Sequence, residues 1–280
     1  MCALTDRQLA AAATRARLSA VKMVYEAASG HIGGSLSCMD ILTTLYFDTM
    51  NIDPAAPNGE DRDRFVLSKG HCSPALYSVL ALRGFFPEER LKEFRRIDGH
   101  LSGHAEMRHV PGVDMSTGSL GQGLSAAVGM ALAGKIKKKD YRVYALMGDG
   151  EMTEGQIWEA LLCAAKYKLD NLCVIVDVNG LQIDGPTSEV MPTEPLDEKL
   201  AAFNMNAITV DGHDYAALKQ AFADAAAHKG SPTALVAKTT KGKGVSFMEE
   251  QVGWHGKAPG EQDYLQAESE LKALLAGIEV

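Results

Sequence analysis

Five cysteines at irregular spacings, with no C-x-x-C among them, are too few and too scattered for a disulfide framework or a cysteine zinc site. Cys2, Cys38, Cys72, Cys163 and Cys173 therefore read as reduced thiols of a cytoplasmic protein. The longest weakly polar run, around Leu124 to Gly134, falls far short of the roughly 20 residues that span a bilayer. Asp6, Arg7, Arg15 and Arg17 interrupt the N-terminal alanines where a secretory signal would be apolar. Neither membrane insertion nor export is expected. A basic excess is lacking too: 28 Lys and Arg against 36 Asp and Glu leave a formal charge of -8, which argues against nucleic-acid phosphates or anionic lipid as partners. No internal repeat, low-complexity tract or long linker divides the chain, so one domain over residues 1–280 is the expectation.

What is present is a chain of 280 residues, 46% hydrophobic and 23% charged, enough for a substantial core. Leu18, Val21, Tyr25 and Ala28 recur at helical spacing up to Ser29-Gly30, where glycine can cap the helix in the left-handed region. Ser37 followed by Asp40 reads as a capping box opening a second helix through Leu42, Leu45 and Tyr46. A third runs from Ser73-Pro74 to Gly84. β-Rich runs at Arg64 to Leu67, Arg142 to Met147, Leu172 to Asp177, Ala207 to Val210 and Ala234 to Ala237 are separated mainly by helical stretches. That alternation predicts an α/β fold, a mainly parallel sheet with helices on both faces. Val143 to Met147 and Leu172 to Val176 are almost wholly apolar, as strands covered on both sides should be, and are placed centrally. The basic run Lys135 to Lys139 reads as a solvated helix end.

Gly148-Asp149-Gly150 directly follows one apolar strand and Asp177-Val178-Asn179-Gly180 the next, with a helical segment between them. A right-handed crossover brings both strand ends to the same sheet edge, so Asp149 and Asn179 converge. A small hard cation such as Mg²⁺ takes oxygen ligands, one or two of them carboxylates, with phosphates and water completing the shell. Asp149 supplies charge, Asn179 an amide oxygen and Leu181 a backbone carbonyl, leaving positions for diphosphate oxygens. The helix beginning near Gly155 is expected to aim its N-terminal amides at that anion.

This is also the constellation of thiamine-diphosphate enzymes, and residues 148–155 and 179–185 resemble the cofactor-binding stretches of transketolase. The resemblance extends from Ser29-Gly30-His31 through Ser68-Lys69-Gly70-His71, Gly103-His104 and Thr117 to Gly123, as far as His255-Gly256-Lys257. It implies the thiamine-diphosphate-binding fold of the PP type, with Mg²⁺ as the metal and Ca²⁺ or Mn²⁺ as alternatives. By that resemblance His31 and His104 line the ketose site, His71 lies by cofactor and donor, and His255 approaches diphosphate and substrate. Imidazoles titrating near neutrality suit the proton transfers of ketose cleavage and its reverse.

The resemblance also marks Gly118, Ser119 and Leu120 as approaching the pyrimidine of the cofactor, and Leu120 and Ile183 as supports for its bent shape. Gly150 belongs to the diphosphate stretch, Lys241 is a diphosphate contact ahead of Lys257, and Glu154 lies by the cofactor at an interface between subunits. Ile32 and Ala105 stand where full-length members commonly carry proline, which bears on donor preference.

A complete transketolase continues where this chain stops, so the resemblance is to the N-terminal subunit of a split enzyme transferring a two-carbon ketol unit from a ketose, phosphorylated by expectation, to an aldose. The cofactor-activating glutamate would then come from a separate C-terminal subunit of roughly 300 residues, with two copies of each chain. The alternatives are the α-subunit of a 2-oxo-acid dehydrogenase, against which the histidines speak, and a catalytically silent assembly subunit. Two further patterns are set aside. His100 and His104 are spaced as a helical metal pair, but Ser102 and Gly103 disfavour a helix there. Gly121-Gln122-Gly123 with Ala126 mimics a dinucleotide fingerprint without a strand before it. His109, His213 and His228, like His100, receive no function.

Overall fold

The computed structural model describes residues 4–279; Cys2 lies outside them. Among the described residues there are seven strands: β1 (Arg64–Leu67), β2 (Val143–Gly148), β3 (Leu172–Val178), β4 (Leu181–Gln182), β5 (Gly185–Pro186), β6 (Asn206–Asp211) and β7 (Thr233–Lys238). Five form one parallel sheet in the order β1-β2-β3-β7-β6, while β4 and β5 make a small hairpin. The five long strands match the five β-rich runs, and β2 and β3 are interior, as their apolar composition predicts.

Side chains alternate across the sheet and feed two cores. Tyr144, Leu146, Cys173, Ile175 and Leu235 pack on one face against α1 (Asp6–Ala27), α3 (Met39–Thr44), α4 (Ser73–Arg83) and α9 (Tyr215–Ala227). Val143, Ala145, Met147, Val174 and Val176 pack on the other against α5 (Gln122–Ile136), α6 (Gly155–Lys166) and α8 (Leu196–Ala202). Every residue of β3 is buried. Burial on both faces explains why these strands carry no polar alternation. The remaining helices are α2 (Gly33–Ser37), α7 (Thr187–Val190) and α10 (Glu261–Glu279).

Three local expectations are corrected. The left-handed residue ending α1 is Ala28, at φ 49, while Gly30 serves close packing, because a Cβ there would meet Val24 at 2.9 Å. Ser37 and Asp40 form no capping box. Ser37 Oγ donates to Asp177 at 2.6 Å, and the Asp40 carboxylate is bound by Arg17, across two helices. Finally, a 3₁₀ turn over Gly150–Thr153 separates β2 from α6, so this turn, rather than the start of α6, follows the Asp149 strand end. The α4 expectation holds from Pro74 to the left-handed Gly84 at φ 92.

Candidate functional site

The parallel register pairs Met147 with Val176 and Gly148 with Asp177, so the loops after β2 and β3 leave the sheet side by side. They open on a cavity of about 350 Å³ at the carboxyl ends of the strands, where ligands of open α/β sheets bind. Asp149 is 3% exposed; its Oδ2 accepts from Gly180 N at 2.7 Å and its Oδ1 from Gly150 N at 2.8 Å. Among the described residues no basic side chain lies within ion-pair distance of it. Burial, and then the nearby Asp177, push its pKa up to about 6.

Asp177 differs in being compensated. It is fully buried, yet takes the Lys69 ammonium in an ion pair, together with the Ser37 and Thr239 hydroxyls and Asn179 Nδ2 at 3.3 Å. Asn179 Oδ1 accepts from Leu181 N at 3.2 Å, and Leu181 O accepts from Lys241 Nζ at 3.2 Å. Asp149, Asn179 and Leu181 all line the cavity and each oxygen keeps a lone pair. A buried carboxylate without a cation, beside an amide and a carbonyl oxygen, suits a hard cation that takes its other ligands from a phosphate and water. No group of three or more His, Cys, Asp or Glu placed to hold a metal ion occurs among the described residues.

Across the cavity stand four imidazoles on four separate segments. The His31 ring centroid is 5.2 Å from that of His71, 6.0 Å from His104 and 5.6 Å from His255, and His71 lies 5.4 Å from His255. Burial, with His71 beside it, lowers His31 to about 4. Burial and the neighbouring Lys241 ammonium lower His255 to about 3, and burial with His71 lowers His104 as well. Neutral rings able both to give and to accept a proton are the result. The other histidines lie elsewhere: His100 stacks on His109 at 4.9 Å, His228 meets Ser231, and His213 meets Asp40.

Of the residues singled out from sequence, His31, His71, His104, Gly118, Leu120, Asp149, Gly150, Glu154, Asn179, Leu181, Ile183, Lys241 and His255 line this one cavity. Ser119 is exposed and does not. Glu154 and Ile183 sit on the rim, Ile183 being 66% exposed. The start of α6 at Gly155 is exposed and outside the lining, so the amides expected there do not face the cavity. Lys257 stands over the Trp254 ring instead, 4.2 Å from its centroid. Ala105 donates its N–H to Gly70 O at 3.2 Å, a bond proline lacks, so the departure at that position ties the His104 loop to the His71 turn.

Three buried charges beside the cavity, Lys69, Glu151 and Asp177, went unassigned in the sequence. Lys69 and Asp177 form the pair described above. Glu151 is 2% exposed and accepts from Ser68 Oγ, from Gly121 N at 2.8 Å and from Gly148 N at 3.1 Å. It thereby fastens the glycine loop before α5 to the end of β2. The only local signal for these residues is a charge embedded in a glycine-rich strand end.

A family model described as transketolase, thiamine diphosphate binding domain, matches residues 7–273. An apulose-4-phosphate transketolase subunit from Phocaeicola vulgatus is 44% identical over 92% of this chain and 92% of its own. A 6-deoxy-6-sulfo-D-fructose transketolase subunit of Clostridium sp. (strain MSTE9) is 46% identical over 87% and 88%. Among solved structures, transketolase from Campylobacter jejuni superposes with a TM-score of 0.88 at 31% identity over 98% of this chain. The chain spans 46% of the length of that solved chain.

Proposed function

Since the chain belongs to the family of the transketolase, thiamine diphosphate binding domain, we propose that it is the cofactor-binding subunit of a split transketolase, folded as one domain over residues 1–280. The observation that carries this reading is the pairing, in one cavity, of a buried Asp149 that no cation contacts directly with the four imidazoles of His31, His71, His104 and His255. Thiamine diphosphate supplies, when bound, the nucleophilic centre and electron sink for carbon-carbon cleavage. Asp149, Asn179 and the Leu181 carbonyl would hold Mg²⁺, and Lys241 would neutralise the diphosphate. Gly150, Gly118 and Leu120 line the same cavity, and a Cβ on Gly150 would meet Gln182 at 3.1 Å.

His31 and His104 face the substrate end, where a ketose hydroxyl must lose a proton and an aldehyde oxygen must regain one. Their depressed pKa values keep them as bases at neutral pH. His71 and His255 orient donor and diphosphate, and Glu154 and Ile183 form the rim toward a partner. Two relatives bear names of transketolase subunits that act on a phosphorylated and a sulfonated sugar, which supports a ketose carrying an anionic group as donor or product. Membership of this family sets aside the 2-oxo-acid dehydrogenase α-subunit.

The active assembly we propose contains a separate C-terminal subunit of roughly 300 residues, two copies of each chain. A cytoplasmic setting is supported by free thiols at Cys38, Cys72, Cys163 and Cys173, and no described helix is long and apolar enough to cross a membrane. The test is reconstitution: the chain alone is expected to be inactive toward ketose and 2-oxo-acid donors, and ketol transfer is expected to appear on adding the partner. Robust transfer by the isolated chain overturns the split-enzyme reading. Cofactor binding without transfer in the assembly makes the chain a silent subunit.

A further inference from the structure

His213 lies in the turn after β6, outside the cavity, and five elements meet at it or its partner. Its Nδ1 is 2.7 Å from Asp40 Oδ2, and its Nε2 is 2.8 Å from the backbone nitrogen of Thr240. Thr240 N–H can only donate, so Nε2 accepts and Nδ1 carries the ring proton toward Asp40. Asp40, on α3, is itself held in place: Arg17 of α1 binds both its oxygens, at 2.9 and 2.7 Å, and the Tyr215 hydroxyl at the start of α9 donates to it. Burial would raise the Asp40 pKa, but Arg17 and His213 outweigh it and hold the group below the usual carboxylate range. The carboxylate is therefore a fixed acceptor, and the tautomer of His213 is set from both sides.

The residue after Thr240 is Lys241, 1% exposed, whose Nζ reaches Leu181 O at 3.2 Å and His255 Nδ1 at 2.9 Å inside the cavity. Its neighbours are tied by backbone bonds, Thr239 N to Val178 O at 3.0 Å and Gly242 N to Gly33 O at 3.0 Å. At Thr240 the acceptor is a side chain, that of His213.

We infer that His213 is a positioning residue, a latch through which the buried Arg17–Asp40 pair sets the backbone at Thr240, and with it the reach of Lys241 into the cavity and its bond to His255. The inference rests on Lys241 being the diphosphate contact. It explains why a buried ion pair with no face on the cavity stands behind the site. Alignment of a single ammonium against an anion depends on where its Cα is held as well as on the packing of its buried stem, which lies against Gly33.

The test uses the full chain with Mg²⁺ and inorganic pyrophosphate as the probe, read by calorimetry, beside amide hydrogen exchange. His213→Leu removes both bonds of the ring, whereas His213→Gln spaces a donor and an acceptor as the imidazole does. In His213→Leu the Thr240 amide is expected to exchange at least about tenfold faster, and pyrophosphate affinity to fall about tenfold. His213→Gln is expected to recover most of both. In a Lys241→Ala background, His213→Leu should cause no further loss of affinity, because the latch acts through that lysine.

A merely structural role would instead speed exchange throughout β3 and give losses that add. Unchanged Thr240 exchange, or additive losses, overturns the proposal. Should His213→Leu fail to fold, nitrogen NMR of the wild-type imidazole decides: a proton on Nε2 at neutral pH overturns the latch, and a proton on Nδ1 with an accepting Nε2 supports it. Pyrophosphate affinity unaffected by Lys241→Ala removes the diphosphate reading of Lys241 alone, leaving Thr240 exchange to judge the latch.

Discussion

Lys241 Nζ donates to His255 Nδ1 across 2.9 Å. An ammonium has no acceptor to offer, so His255 holds its proton on Nε2, and the bond fixes the tautomer of one histidine from outside the imidazole cluster. The same ammonium, after burial, is what holds His255 down to about 3.

Lys241→Ala is accordingly expected to raise the His255 pKa, since a like charge that disfavours protonation is removed. Proton NMR titration of the ring measures it. An unmoved titration would show that burial alone sets the value.

Acid should destabilise the folded chain. His31 and His255 titrate near 4 and 3 when folded, against about 6.5 when unfolded, so the unfolded chain binds more protons as pH falls below about 6.5. Their contribution to stability is complete above that pH and is lost progressively down to the folded values. Asp149, raised to about 6, acts the other way, being protonated first in the folded chain and so offsetting part of the loss between about 6 and 4. Melting temperatures across this range are expected to fall with pH, and to fall less steeply in His255→Asn. An equal slope in that variant would falsify the assignment.

In the metal-free chain, Asp149 is expected to titrate near 6, and Mg²⁺ with pyrophosphate to pull it below the ordinary carboxylate range. Carbon NMR of the carboxylate follows this directly. Asp149→Ala should abolish Mg²⁺-dependent binding of thiamine diphosphate while the chain stays folded. Retained affinity in that variant removes the metal assignment.

His104 stands at the mouth of the cavity with part of its ring open to solvent, and a Cβ added at Gly118 would meet that ring at 3.3 Å. His104→Ala in the reconstituted assembly is expected to lower kcat/KM for ketol transfer about 100-fold, with cofactor affinity within about twofold of wild type. Equal losses in both quantities would move His104 from the substrate side to the cofactor.

Glu151→Ala strands three donors, Ser68 Oγ and the amides of Gly121 and Gly148, in a buried site. Unfolding in urea is expected to show a loss of about 2–4 kcal/mol. A variant as stable as wild type would mean that water replaces the carboxylate.

The sheet was legible in the sequence because burial on both faces writes a local signature: Val143 to Met147 and Leu172 to Val176 need no long-range information to be read as central strands. The cavity was legible because glycines, histidines and Asp149 sit at strand ends, where short motifs and a family resemblance identify them. What stayed hidden depends on partners far along the chain. Asp40 looks like a cap until Arg17 and His213 are placed around it, and Ser37 looks like one until Asp177 is seen, 140 positions away. Lys69 and Glu151 show locally no more than a charge beside glycine at a strand end, and the role of His213 follows from tertiary packing alone.

Ile183, on the cavity rim, leaves a branched apolar side chain facing water. A cofactor filling the cavity and the second chain proposed at its rim would each cover part of this side chain and bury it fully only together, so their binding free energies would be coupled. Such coupling is reciprocal: whatever factor the cofactor adds to the affinity between chains, the second chain returns to cofactor retention. In the proposed assembly, dilution is expected to strip the cofactor by dissociating the chains, so that the abundance of one polypeptide would govern how fully the other is loaded.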